Sequence, residues 1–152
     1  MAARASSETW AEASGVVAQA EMLRRRAAPL AAEDARVYGE SLAVMESPPG
    51  PTAERRDAAI EEALARAAAV PLEIAERAAD VASLAAIVAD RGDQAVRGDA
   101  AAAAVLAAGA AQAAANLVAI NLAADDERLQ EARRHAEAAL ETARWTLDLA
   151  GS

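Results

Sequence analysis

Residues 100–124 read AAAAAVLAAGAAQAAANLVAINLAA, a stretch without a single charge. Its length would span a bilayer, which takes about 20 apolar residues. It is mostly alanine, however, and carries Gln112, Asn116 and Asn121. It lacks the dense Leu, Ile, Val and Phe content that makes insertion favourable. No membrane partner is therefore expected. A helix apolar on all sides and not in lipid is surrounded by protein, at the centre of a bundle or at a subunit interface. The rest of the chain agrees. Alanine fills about a third of the 152 positions, only 2% are aromatic and there is no Phe. Strands rely on branched and aromatic side chains, whereas alanine costs least in a helix. The fold class expected is all-α.

Working outward, the pattern breaks at Ser47-Pro48-Pro49-Gly50-Pro51, at Asp90-Arg91-Gly92-Asp93 running on to Arg97-Gly98-Asp99, and more softly at Asp125-Asp126. These breaks predict four helices over roughly 8–46, 52–90, 98–123 and 125–150. In the second, Ile60, Leu64, Ala67, Pro71, Ile74, Ala78, Val81, Ala85 and Val88 alternate four and three apart, a heptad seam. The first carries a stripe from Trp10 through Leu23, Leu30, Asp34, Val37 and Ser41 to Val44. The last carries one through Leu129, Ala132, Ala136, Leu140, Ala143 and Leu147. Short connections place sequential helices side by side. Residues 1–152 thus read as a single domain, an antiparallel up-and-down helical bundle with long, Ala-rich helices and a Pro-kinked second helix.

The formal charge is −9, and every one of the 15 basic residues is Arg. Nucleic acid is not expected as a partner, since its phosphates demand a basic face. Without Lys there is no Schiff-base chemistry. Without Cys there are no disulfides or thiolate sites, which suits a cytoplasmic location. Phosphate loops, dinucleotide fingerprints, zinc motifs and serine elbows are absent, as is a readable secretory signal. His135 shares a face with Glu131, too few ligands for a metal site.

The polar residues within the stripes carry the chemistry. Asp34 lies in phase with Leu30 and Val37, and Tyr38 follows at i+4, so a carboxylate and a phenol share one flank of a surface expected to be buried. That pair is either a satisfied buried acid or a functional one. Pro71 bends its helix, either to wrap a neighbour or to open a ligand cavity. Asp99 suits an N-cap, while free NH groups beside Arg97 and Gly98 also suit an anion. Asn116 and Asn121 project about 140° apart and either fix register or serve a site.

These features, in this order, resemble the formiminotetrahydrofolate cyclodeaminase and methenyltetrahydrofolate cyclohydrolase family, a small all-helical, dimer-forming group. Glu33-Asp34-Ala35-Arg36-Val37-Tyr38 is similar to the family's acidic stretch ending in Tyr. Arg55 to Ile60 and Val70-Pro71-Leu72-Glu73-Ile74 match two further segments. Ala95-Val96-Arg97-Gly98-Asp99 matches a fourth with Gly98 in place of serine, and Ile120-Asn121-Leu122 followed by an Asp a fifth. Met1-Ala2-Ala3-Arg4 resembles the end of the family's first alanine-rich helix, so the chain reads as starting late.

The resemblance implies a tetrahydrofolate derivative as substrate, with no metal. It implies hydrolysis of 5,10-methenyltetrahydrofolate to 10-formyltetrahydrofolate, or cyclisation of 5-formiminotetrahydrofolate with loss of ammonia. Asp34 and Asp99 would be catalytic, with Tyr38 as orienter or proton relay. Arg97, Gly98, Asn121 and Pro71 would bind substrate, Arg97 holding the folate glutamate carboxylate. A homodimer is expected, because exposed alanine-rich surface promotes association. The alternative expectation is a non-catalytic helical dimer or scaffold derived from the same fold.

Overall fold

The computed structural model describes residues 10–47 and 52–151. Residues 1–4 and 48–51, where a family segment and the proline break were expected, lie outside these. Six helices follow in order: α1 Ala13–Ala27, α2 Leu30–Glu46, α3 Ala53–Ala67, α4 Ala69–Arg91, α5 Arg97–Asn121 and α6 Glu127–Ala150. A 3-10 turn at Gln94–Val96 leads into α5, and there is no strand among the described residues.

The breaks have local causes. Thr52 opens α3 by accepting a hydrogen bond from the Arg55 amide at 3.3 Å. Asp126 opens α6 in the same way, accepting from the Arg128 amide at 2.9 Å. Proline subdivides both of the long helices expected in the first half. Pro29 lacks the N–H that would bond one turn back, so α1 ends at Ala27 and α2 starts afresh. Pro71 acts likewise near the start of α4, where a missing N–H is tolerated because first-turn donors have no helical partner anyway. The predicted kink is a division at Ala68.

The structure is an all-α bundle. Its centre is α4, α5 and α6, running up, down and up, with Ala82, Ala104, Ala111 and Ala132 all at 0% exposure beside Val118 and Leu129. Methyl groups at the contacts let helix axes approach closely, which is how so few large side chains close a core. Helix α1 lies on α4, where Trp10, Ala13 and Leu23 meet Leu84 and Val88. Helices α2 and α3 form a hairpin beside the bundle, stitched by buried Ser41, whose Oγ lies 3.0 Å from the carbonyls of Val37 and Ala63.

Two stripes differ from expectation. Of α2 only Leu30 and Ser41 are buried, because the hairpin leans on the bundle rather than joining it, so Asp34 is half-buried and Tyr38 is 56% exposed. The expected buried flank for this pair is a surface of the single chain. In α6, Leu140 and Leu147 are exposed, while Ala139 and Thr146 fill the core.

The uncharged helix is two-faced. By length and composition Gln94–Asn121 could cross a membrane. Its inner side, including Ala104, Ala111 and Val118, is the middle of the bundle. The other side is bare, with Leu106 75% and Ile120 76% exposed.

Candidate functional site

A cavity of about 520 Å³ lies where α3 faces the connection between α5 and α6. Its walls are apolar at Ile60, Leu64 and Ile120. Its polar groups come from Asn121, from Asp57 and Glu61 on α3, and from Asp126 and Arg128 at the start of α6.

Arg128 organises this end. Its Nε and Nη2 donate to the Asp126 carboxylate at 3.0 and 2.7 Å, and its Nη1 donates to the Ala65 carbonyl at 3.1 Å. The paired guanidinium holds the Asp126 carboxyl below the usual range, and the same hydrogen bonds raise Arg128. Asn121 donates its Nδ2 to the Leu117 carbonyl at 3.0 Å, which fixes the amide at the cavity wall. Three carboxylates against one guanidinium leave this space with an excess of negative charge between apolar walls. That combination favours positive charge on a ligand over negative charge.

A second groove of about 500 Å³ runs between the α1–α2 junction, α4 and α5, with Leu30, Ile74, Val81 and Leu106 along it. Its charged group is Arg77, held by Glu76 and Asp80 at 3.3 Å each and by Glu73 at 3.7 Å. The groove is otherwise apolar.

The residues singled out in the sequence fall in separate places. Asn121 lines the first cavity. Pro71 is fully buried at the head of α4 and lines neither space. Asp34 and Tyr38 stand on the outer hairpin, where Arg36 pairs with Glu33 and Glu40, the former at 2.9 Å, and lowers the Glu33 carboxyl. Arg97, Gly98 and Asp99 are at the far end of α5. The expected Asp99 cap is not formed: the helix already begins at Arg97, Asp99 sits in its first turn, and Asp93 caps the preceding turn by accepting from the Ala95 amide at 2.8 Å. In the first turn a carboxylate still meets the positive end of the helix. At about 1.5 Å per residue, Asp99 and Asn121 are about 33 Å apart along one helix. A single chain therefore does not gather the set.

Asp57, Glu61 and Arg128 were not expected at a site. Asp126 and Arg128 form a short capping pattern that sequence can show, whereas the bond to Ala65 joins residues far apart in the chain and leaves no local signal. His135 lies 3.9 Å from Glu131, and no group of potential metal ligands is present among the described residues.

Fold and site thus define a small all-α bundle with an acid-lined, half-apolar cavity at one end of its central helix. The chain belongs to the formiminotransferase-cyclodeaminase family, whose model matches residues 1–141. No curated protein matches it.

Proposed function

We propose that this chain is a folate-dependent one-carbon enzyme acting at the N5 and N10 nitrogens of tetrahydrofolate. The observation that carries the reading is the family match over residues 1–141, which includes every residue that lines the cavity. In the hydrolytic direction water adds to the cationic bridging carbon of 5,10-methenyltetrahydrofolate, a proton is released, and the carbon–nitrogen bond to N5 opens to give 10-formyltetrahydrofolate. In the cyclising direction N10 attacks the formimino carbon of 5-formiminotetrahydrofolate, and ammonia leaves. Both directions pass through a cationic centre that negative charge stabilises.

The acid-lined cavity supports that chemistry, with Asn121 as a binding group beside Asp126. Asp34 and Asp99 are the proposed proton-moving carboxylates and Tyr38 the orienting phenol. Arg97 and Gly98 are proposed to hold the glutamate tail. The chain is proposed to work as a homodimer in the cytoplasm, with neither nucleic acid nor membrane as partner and no metal required.

Loss of methenyltetrahydrofolate absorbance in the presence of the purified chain, above the buffer rate, tests the proposal. Asp34→Asn and Asp99→Asn are each expected to abolish protein-dependent loss. Unchanged turnover and folate binding in both variants would remove these residues from the mechanism. Absence of turnover in the wild-type chain would favour the non-catalytic helical dimer.

A further inference from the structure

Aromatic side chains are scarce in this sequence: two Trp, one Tyr and no Phe. Trp10 goes to the core. Trp145 on α6 does not: it is 47% exposed, and Ile87 on α4 is 42% exposed. Together with Ser83, Ala86, Glu141 and Thr142 they line a cleft of about 480 Å³ between α4 and α6. None of these residues lines the acid-lined cavity or the groove along α5.

The polar groups of this cleft present acceptors. Glu141 lies one turn before Trp145, so carboxylate and indole are neighbours on one helix face. Among the described residues Glu141 forms no ion pair, although Arg144 follows at i+3. Glu33, Glu62 and Glu73, by contrast, each pair with an Arg three or four residues on. Thr142 donates its hydroxyl proton to the Ala138 carbonyl at 2.8 Å, which leaves its oxygen to accept. The Ser83 hydroxyl has no partner among the described residues and is free to accept as well.

A group matched to this lining carries positive charge, N–H donors and a flat face. A guanidinium has all three: its plane stacks on an indole while its edge reaches carboxylate and hydroxyl oxygens. An ammonium lacks the flat face, and a quaternary amine lacks the N–H groups.

We propose that the cleft between α4 and α6 receives an arginine side chain of a partner protein, stacked on Trp145 and bonded to Glu141. Ile87 packs against the aliphatic stem of that arginine. The occupant is a partner rather than a small free ligand because both apolar walls stand about half exposed. A small ligand leaves them largely in water, whereas a protein bearing the arginine covers them as it docks. The net charge of −9 draws a basic partner towards the chain.

The test is a titration of the isotope-labelled chain with the capped peptide acetyl-Ala-Arg-Ala-amide, followed by backbone amide shifts. Saturable shifts are expected at residues 83–87 and 141–145. The citrulline peptide, of the same shape without the charge, is expected to bind about tenfold more weakly, and the lysine peptide several-fold more weakly. Glu141→Gln and Trp145→Leu should each weaken the arginine peptide about tenfold. Both residues are exposed, so unchanged shifts elsewhere in each variant verify the fold. Shifts that fail to saturate, shifts centred on Glu61 and Asp126 instead, equal binding of the citrulline or lysine peptide, or undiminished binding to Glu141→Gln overturn the proposal. The same shifts appearing when the chain alone is concentrated would mean that a second copy supplies the arginine, and overturn a separate partner. No arm uses folate or turnover, so the outcome stands apart from that of the enzyme reading.

Discussion

The Nη1 of Arg128 donates to the carbonyl of Ala65 at 3.1 Å and so ties the first turn of α6 to the last turn of α3. The same guanidinium is gripped by Asp126, and one side chain thereby fixes a cap, a helix–helix contact and the wall of the cavity. Arg128→Ala is expected to cost about 1–2 kcal/mol in urea denaturation, the scale of one or two charge-assisted hydrogen bonds. Arg128→Lys should recover only part of this, because an ammonium cannot present the planar fork. Full stability in both variants would show that the contact is incidental.

The Asp126 carboxyl is held below its ordinary value by Arg128. A depressed folded-state pKa contributes stability above the unfolded value of about 3.9 and loses it as pH falls through the folded one. The wild-type chain should therefore lose more stability than Asp126→Asn on acidification from pH 5 towards pH 2. Parallel stability curves for the two proteins over that range would contradict this role for the pair.

Ala111 is fully buried at the middle of the bundle. Ala111→Leu pushes helix axes apart and is expected to destabilise by about 1–3 kcal/mol or more. Ala102→Leu, on the exposed side of the same helix, should leave folding unchanged within about 0.5 kcal/mol. Thermal unfolding of the two variants under dilute conditions distinguishes the inner side from the outer.

Ser41 is the buried polar link between α2 and α3. Ser41→Ala removes one donor without adding bulk and should cost about 1 kcal/mol. The loss should be local: amide exchange is expected to rise in α2 and α3 and to stay unchanged in α5. Uniform acceleration through all helices would mean that the hairpin folds as one unit with the core.

Composition and periodicity carried the fold class because alanine and the heptad seam from Ile60 to Val88 admit little else. Finer assignments failed where one competing effect won. In α6 the largest side chains, Leu140 and Leu147, fall on the exposed side. The strict three–four repeat through Ala139, Ala143 and Thr146 is the buried one. Pro29 divides α1 from α2, but the apolar stripe runs in phase from Leu23 to Leu30 across it and masks the division. The stripe that carries Asp34 is continuous with buried Leu30, but periodicity does not distinguish a helix that joins the bundle from one that meets only its neighbour. At the site, Asn121 and the Asp126 cap have local signatures. Asp57, Glu61 and the Arg128–Ala65 bond depend on tertiary placement.

The bundle's interior is almost wholly methyl groups, and alanine has no side-chain rotamers to exchange. Such a core cannot accommodate a displaced helix by repacking side chains, as a leucine core can. It has a single internal state for each arrangement of axes. Any adjustment at the cavity must then come from rigid displacement of a helix or of the α2–α3 hairpin. A ligand at the end of α5 would be sensed along its whole length as movement of backbone rather than of side chains.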